Sequence, residues 1–179
     1  MIILGIDPGT TIMGFSIINV VNNKVTLVEM NIERMVKLTD QNAKLKRIFE
    51  CTIELIDQYH PEVLAIEAPF FGKNPQSMLK LGRAQGVVIA ASLSRNLEVF
   101  EYSPRKIKQS ITGKGSASKE QVAAMLKNME LFTEDSRYFD ATDALAVAVC
   151  HQLQNRISIP GKKYNGWESF ISQNENRIK

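Results

Sequence analysis

Two short apolar runs in this chain each end on an acid. Ile2-Ile3-Leu4-Gly5-Ile6 stops at Asp7, and Val63-Leu64-Ala65-Ile66 stops at Glu67. Short apolar runs of this kind read as buried strands. An acid that closes a buried strand does little to solvate a surface. If the two strands lie parallel and adjacent, both carboxylates emerge in one crevice at the carboxyl ends, where open α/β sheets hold their ligands. A second pair, Asp140 and Asp143, opens the apolar stretch Ala144 to Val149. At i and i+3 of a helix the two share a face and can point into the same crevice. Each acid also has a plainer reading. Asp7 suits the first position of a β-turn, Glu67 a solvated strand end, and Asp140 and Asp143 a helix first turn, where acids complement the dipole. The conjunction favours convergence. Converging carboxylates repel one another unless a cation sits between them, and Mg²⁺ is the natural hard, oxygen-seeking choice.

The rest of the chain supplies the elements this arrangement needs. Asp7-Pro8-Gly9-Thr10 is a turn after the first strand, with Pro setting φ at the first central position. Met13 to Val20 and Lys24 to Asn31 read as two further strands around an Asn22-Asn23 turn, completing an antiparallel meander. Asp40 to His60 has helical spacing and stops at Pro61, and Glu62 to Glu67 follows as a central strand. Ala68 to Pro75 is a loop, Ser77 to Asn96 a helix rich in small residues (Gly82, Ala84, Gly86, Ala90, Ala91), and Leu97 to Tyr102 a fifth strand. Pro104 to Thr112 and Ser118 to Asn128 are short helices, and Phe139 to Leu153 is the last. A meander followed by alternating helix and strand predicts an α/β protein with a mixed five-stranded sheet flanked by helices, the outline of a ribonuclease H-like fold. Residues 1–156 read as one domain. Residues 157–179 read as a polar C-terminal tail open to disorder, with Trp167, Phe170 and Ile171 as its apolar exceptions.

A length of 179 residues with 44% hydrophobic content suffices for one packed core. The formal charge of +3 permits nucleic-acid binding without arguing for it; what matters is that cations cluster between Lys73 and Lys119. Cys51 and Cys150 make no disulfide framework and read as small buried groups, which suits a reducing cytoplasm. Asp7 breaks the N-terminal apolar run too early for a signal peptide. No apolar stretch reaches the ~20 residues of a membrane helix.

Several features carry two readings each. Phe70 and Phe71, directly after Glu67-Ala68-Pro69 and before Lys73, either dock on the core or form a stacking wedge for unpaired bases. Arg105, Lys106, Lys108, Lys114 and Lys119 are either a solvated face or a phosphate-binding rim. Lys119 opposes the dipole just after the capping residue Ser118, a small mismatch that hints at function. The small-residue helix packs closely on the sheet or forms a subunit interface. His60 and His151 stand alone and read as structural. Asp7-Pro8-Gly9-Thr10 is also similar to the phosphate turn of sugar kinases and actin-like ATPases, but the second such turn those proteins need is missing from the sequence.

Ile6-Asp7-Pro8-Gly9, Ile66-Glu67, Leu79-Lys80-Leu81-Gly82-Arg83-Ala84, Gly86, Tyr102, Lys108-Gln109, Gly113, Gly115-Ser116-Ala117 and Asp140-Ala141-Thr142-Asp143-Ala144-Leu145-Ala146 together resemble the RuvC family of Holliday junction endonucleases, from the first residue to about His151. The resemblance implies a homodimer that binds four-way junction DNA and makes paired, symmetric, ligatable nicks in strands of like polarity, in recombination and repair. It places the catalytic acids on Asp7, Glu67, Asp140 and Asp143, the loop phenylalanine on Phe70, and two functional lysines on Lys108 and Lys119. On that basis two Mg²⁺ per subunit are expected, with Mn²⁺ able to substitute. Phe71, Lys73, Arg105 and Lys114 are added as DNA contacts, and a branch-migration complex as partner. The rivals are another ribonuclease H-like nuclease, acting on hybrids or flaps, and a junction-binding module without catalysis.

Overall fold

In a computed structural model the protein is described over residues 1–69, 74–132 and 139–157. Ten elements follow in chain order: β1 (Ile2–Asp7), β2 (Ile12–Val21), β3 (Lys24–Arg34), α1 (Gln41–Tyr59), β4 (Val63–Glu67), α2 (Pro75–Ser94), β5 (Glu98–Tyr102), α3 (Pro104–Thr112), α4 (Lys119–Asn128) and α5 (Phe139–Ile157). The strands form one sheet in the order β3-β2-β1-β4-β5. The first three are antiparallel neighbours, whereas β1/β4 and β4/β5 are parallel. The expected mixed sheet is therefore present, and β1 lies at its centre, beside β4.

Strand alternation sends side chains to two cores. Leu4, Ile6, Met13, Phe15, Ile17, Leu64 and Ile66 pack with Ile48, Cys51, Leu55, Ile56, Ala84 and Val88 of α1 and α2. On the opposite face Ile3, Ile18, Val63 and Ala65 pack with α3, α4 and the almost wholly apolar α5 stretch Leu145 to Cys150. Each large aliphatic buried in these clusters contributes about 1.5–3 kcal/mol relative to exposure. Cys51 and Cys150 are free and buried, as expected, and burial pushes the Cys51 thiol up to about 12.

The helix ends follow local chemistry. Asp40 caps α1 by accepting from the Ala43 amide, and His60 closes the helix in the left-handed conformation (φ 48°), giving that histidine a structural role. Ser118 and Gln121 form a reciprocal capping box on α4. β2 gains one residue at each end of its predicted span, and three other elements extend farther past theirs. α2 begins at Pro75 because the Asn74 side chain accepts from the Gln76 and Ser77 amides and proline fits the first helical position. β3 continues to Arg34, where polar residues hide the alternation but Ile12 to Phe15 of β2 extend the ladder. α5 runs to Ile157, one residue into the predicted tail, supported by Gln154 donating to Ser110 Oγ and by Asn155 contacting His151. The remainder of the tail, with Trp167, Phe170 and Ile171, lies outside the described residues.

Candidate active site

The acids reach one place because α5 lies very close to the sheet. Asp7 pairs with Gly14 across β1/β2, and Gly5 pairs with Ser16. All four residues face α5 by alternation. A Cβ on Gly14 would lie 1.9 Å from the Asp140 carbonyl oxygen, and a Cβ on Gly5 2.3 Å from that of Ala144. The Ser16 hydroxyl donates to that same Ala144 carbonyl at 2.9 Å. Two glycines and a serine thus form a shelf that lets the first turn of α5 sit directly over the end of β1. Sequence reading missed this shelf, although the alternation Gly5-x-Asp7 and Gly14-x-Ser16 carries the signal.

Asp7, Asp140 and Asp143 are partly buried, and each offers a carboxylate oxygen within 4.8 Å of the others. Glu67, at the end of β4, is outside that set of three but lines the same cavity of about 590 Å³ as Asp7 and Asp143. The expected convergence of four acids is thus resolved into a tight trio with Glu67 beside it. Arg105, Lys108 and Lys119 also line the cavity. Lys114 does not; it borders a separate small groove with Thr112, Ala117 and Gln121. Phe70, Phe71 and Lys73 lie outside the described residues.

The electrostatics call for a cation. Burial, followed by the charges of Glu67, Asp143 and Asp140, raises the Asp7 carboxyl well above its ordinary range, against a lowering by Lys119. Burial, then Asp143, pushes Glu67 up to about 7, opposed by Lys119 and Lys108. Lys119 forms an ion pair with Asp143 across the mouth of the site. Partial burial works against its charge, but the hydrogen bond and charge of Asp143, with Asp7 and Asp140 behind it, outweigh that and hold the ammonium above its ordinary value. Lys119 alone of the lining cations is ion-paired to one of these acids, and the carboxyls of Asp7 and Glu67 stay raised despite it. An all-oxygen donor set this crowded fits a hard divalent cation.

The raised pKa values predict how stability depends on pH without metal. Between its ordinary value of 4.5 and about 7, Glu67 binds more protons in the folded than in the unfolded state, so stability falls as pH rises through that window. In EDTA, unfolding free energy is expected to drop by about 2 kcal/mol between pH 5 and 7.5, with millimolar Mg²⁺ restoring it at the upper end. Chemical denaturation at a series of pH values measures this directly. A profile that stays flat in EDTA, or that metal does not alter, refutes the account.

An antiparallel meander joined through its central strand to two parallel strands, with a final helix delivering acids to the carboxyl ends of β1 and β4, defines a ribonuclease H-like fold with an acidic crevice. Comparison with known proteins narrows this class. The family model described as "Crossover junction endodeoxyribonuclease RuvC" matches residues 3–151. A protein of that name from Christiangramia forsetii is 57% identical over 178 residues, covering 99% of this chain and 93% of its own length. One from Cytophaga hutchinsonii is 53% identical over 178 residues, covering 99% and 88%. The solved structure of Thermus thermophilus RuvC in complex with Holliday junction substrate superposes with a TM-score of 0.81 at 30% identity, covering 88% of this chain and 96% of that one. The chain belongs to the RuvC family. Among the described residues no helix is long and apolar enough to cross a membrane.

Proposed function

We propose that this chain is a metal-dependent endonuclease that resolves four-way DNA junctions by paired symmetric nicks in strands of like polarity, serving recombination and repair. The observation that carries the reading is the trio Asp7, Asp140 and Asp143, two of whose members, Asp7 and Asp143, line one cavity with Glu67 and with the cations Arg105, Lys108 and Lys119. A pure binding module gains nothing from acids facing phosphate. Asp7, Asp140, Asp143 and Glu67 hold Mg²⁺, two ions per subunit, with Mn²⁺ as substitute. When bound, the metal supplies the positive charge that activates a water nucleophile and stabilises the leaving 3′ oxygen.

The chain's own residues position the DNA and adjust charge around the scissile phosphate. Asp7 ends the central strand, which is paired on both sides, so it is the ligand set most firmly in place. Lys119, now on Asp143, is placed to turn its ammonium to a phosphate oxygen and stabilise the charge that builds there. Arg105 and Lys108, on the first turns of α3, hold the backbone of the cut strand at the cavity mouth. Lys114 contacts phosphate farther along the arm. Phe70, Phe71 and Lys73 act at the junction centre, where an inserted aromatic ring unstacks a base step.

A homodimer accounts for symmetric nicks, because a twofold axis presents two identical sites to two equivalent strands. The exposed face of α2 suits that role: Leu79 and Leu93 are 64% and 57% exposed, and a Cβ on Gly82 or Gly86 would meet nothing within 4 Å. A branch-migration complex is the further partner we propose, and the buried free thiols suit a cytoplasmic setting.

The deciding experiment offers a synthetic four-way junction and linear duplex to the protein, in Mg²⁺ and in EDTA. Ligatable symmetric nicks on the junction alone, lost in EDTA, are expected. Tight binding with no metal-dependent cutting across a panel of core sequences would leave a junction-binding protein instead. Replacing Lys108 with Ala is expected to weaken junction binding and to reduce the salt slope of log Kd by about one. An unchanged slope removes Lys108 from the DNA surface.

A further inference from the structure

His151 is a buried ionisable side chain for which the metal site has no use. It is fully buried in α5, and both ring nitrogens are engaged. Nδ1 lies 2.9 Å from the Tyr102 hydroxyl, and Nε2 lies 2.9 Å from the side-chain nitrogen of Asn155. The ring leans on Phe100, with centroids 4.4 Å apart. Burial lowers the His151 pKa and favours the neutral ring. A neutral imidazole has one donor and one acceptor, and an amide nitrogen only donates. Nε2 therefore accepts from Asn155, and Nδ1–H donates to Tyr102.

Tyr102 stands at a point of leverage. It is the last residue of β5 and the register partner of Glu67, so both side chains emerge on the α5 face of the sheet. Its carbonyl accepts the Ala68 amide at 2.9 Å, fixing the chain directly after Glu67. The next residue, Ser103, caps α3, which carries Arg105 and Lys108. Among the described residues β5 is an edge strand, paired in the sheet with β4 alone. The far end of the contact is the helix of Asp140 and Asp143, with Asp143 eight residues before His151, a rise of ~12 Å.

We propose that the His151–Tyr102 hydrogen bond is a positioning contact for junction cleavage. It locks the β4–β5 edge, with Glu67 and the α3 cations, to the helix that bears Asp140 and Asp143. The proposal rests on the nuclease reading above. Neither residue lines the cavity of the acids or belongs to the carboxylate trio; they act through Glu67 and α3. The shelf on β1 and β2 holds α5 to one half of the sheet, and this contact ties it to the other half. Small displacements between reacting groups cost rate steeply, up to about 100-fold for 1 Å.

The test uses Tyr102→Phe, which removes only the hydroxyl, together with His151→Leu, His151→Asn and the double variant Tyr102→Phe/His151→Leu. All are assayed on the junction at a temperature well below their own melting points, beside wild type and Asp7→Asn. Tyr102→Phe and His151→Leu are expected to lose about tenfold in kcat, with junction affinity in Ca²⁺ lowered by less than about threefold, because the α3 cations shift but remain present. The double variant should be no worse than either single, since the two residues act as one unit. His151→Asn, whose amide can donate from near the Nδ1 position, should recover most of the rate. Mn²⁺ binding measured by titration calorimetry without DNA should weaken several-fold in Tyr102→Phe. Full kcat and unchanged Mn²⁺ affinity in Tyr102→Phe, with a lowered melting temperature only, would overturn the proposal and leave the nuclease reading intact. Failure of the wild type to cut would overturn both.

Discussion

Asp7→Asn is expected to abolish junction cleavage, by at least about a thousandfold, while leaving junction affinity within about threefold of wild type. Asp7 belongs to the carboxylate trio and sits where burial and three neighbouring acids all oppose its charge. Replacing one oxygen with an amide nitrogen keeps the shape but removes the anionic ligand. Binding should survive because, on the proposed reading, affinity for junction DNA comes mainly from phosphate contacts by the cations that line the cavity. The same change has an opposite effect on stability. With the crowded carboxylate gone, the metal-free variant should melt higher than wild type at pH 8. Gel-shift titration in Ca²⁺, single-turnover cleavage in Mg²⁺ and a melt in EDTA give the required measurements. Loss of binding in step with loss of cutting would sink the metal-ligand assignment, and a lower melting temperature would sink the electrostatic account.

Gly14→Ala should be nearly as damaging, although the residue carries no functional group. Its added methyl would lie 1.9 Å from the Asp140 carbonyl oxygen, a backbone atom that cannot swing aside. Either the first turn of α5 lifts from the sheet or β2 shifts beneath it. The strain is expected to cost about 1–3 kcal/mol of stability. Because the displaced turn carries Asp140 and leads directly into Asp143, cleavage should fall by about a hundredfold even where the variant remains folded. Gly82→Ala is the useful contrast, since a Cβ there meets nothing within 4 Å and alanine favours the helix by about 1 kcal/mol. It should leave the chain at least as stable in the monomer. Thermal melts paired with junction cleavage distinguish these cases. A Gly14→Ala protein with normal activity would show that the shelf does not set the acids' position.

Much of the site was legible in the chain because its positions are tied to element ends. Asp7 and Glu67 close apolar runs, and Asp140 and Asp143 open another; local hydrophobic patterning is enough to place them at strand ends and a helix start. The mixed sheet followed from the order of the runs. Boundaries slipped where long-range pairing or capping extends an element past its own pattern, as at the polar end of β3 and at the Asn74-Pro75 start of α2.

Sequence alone determined which residue types could meet: four acids at element ends, a basic segment after β5, and a capped helix beginning with a lysine. Tertiary structure decided how they meet. It drew Asp7, Asp140 and Asp143 into one trio and set Glu67 beside it. It paired Lys119 with Asp143, left Lys114 outside the cavity, and joined His151 to Tyr102 across 49 positions of the chain. The physical reason is that these relations depend on distances between elements. Those distances follow from how closely α5 can approach the sheet, and that approach depends on two missing side chains, at Gly5 and Gly14, whose effect no hydrophobic pattern records.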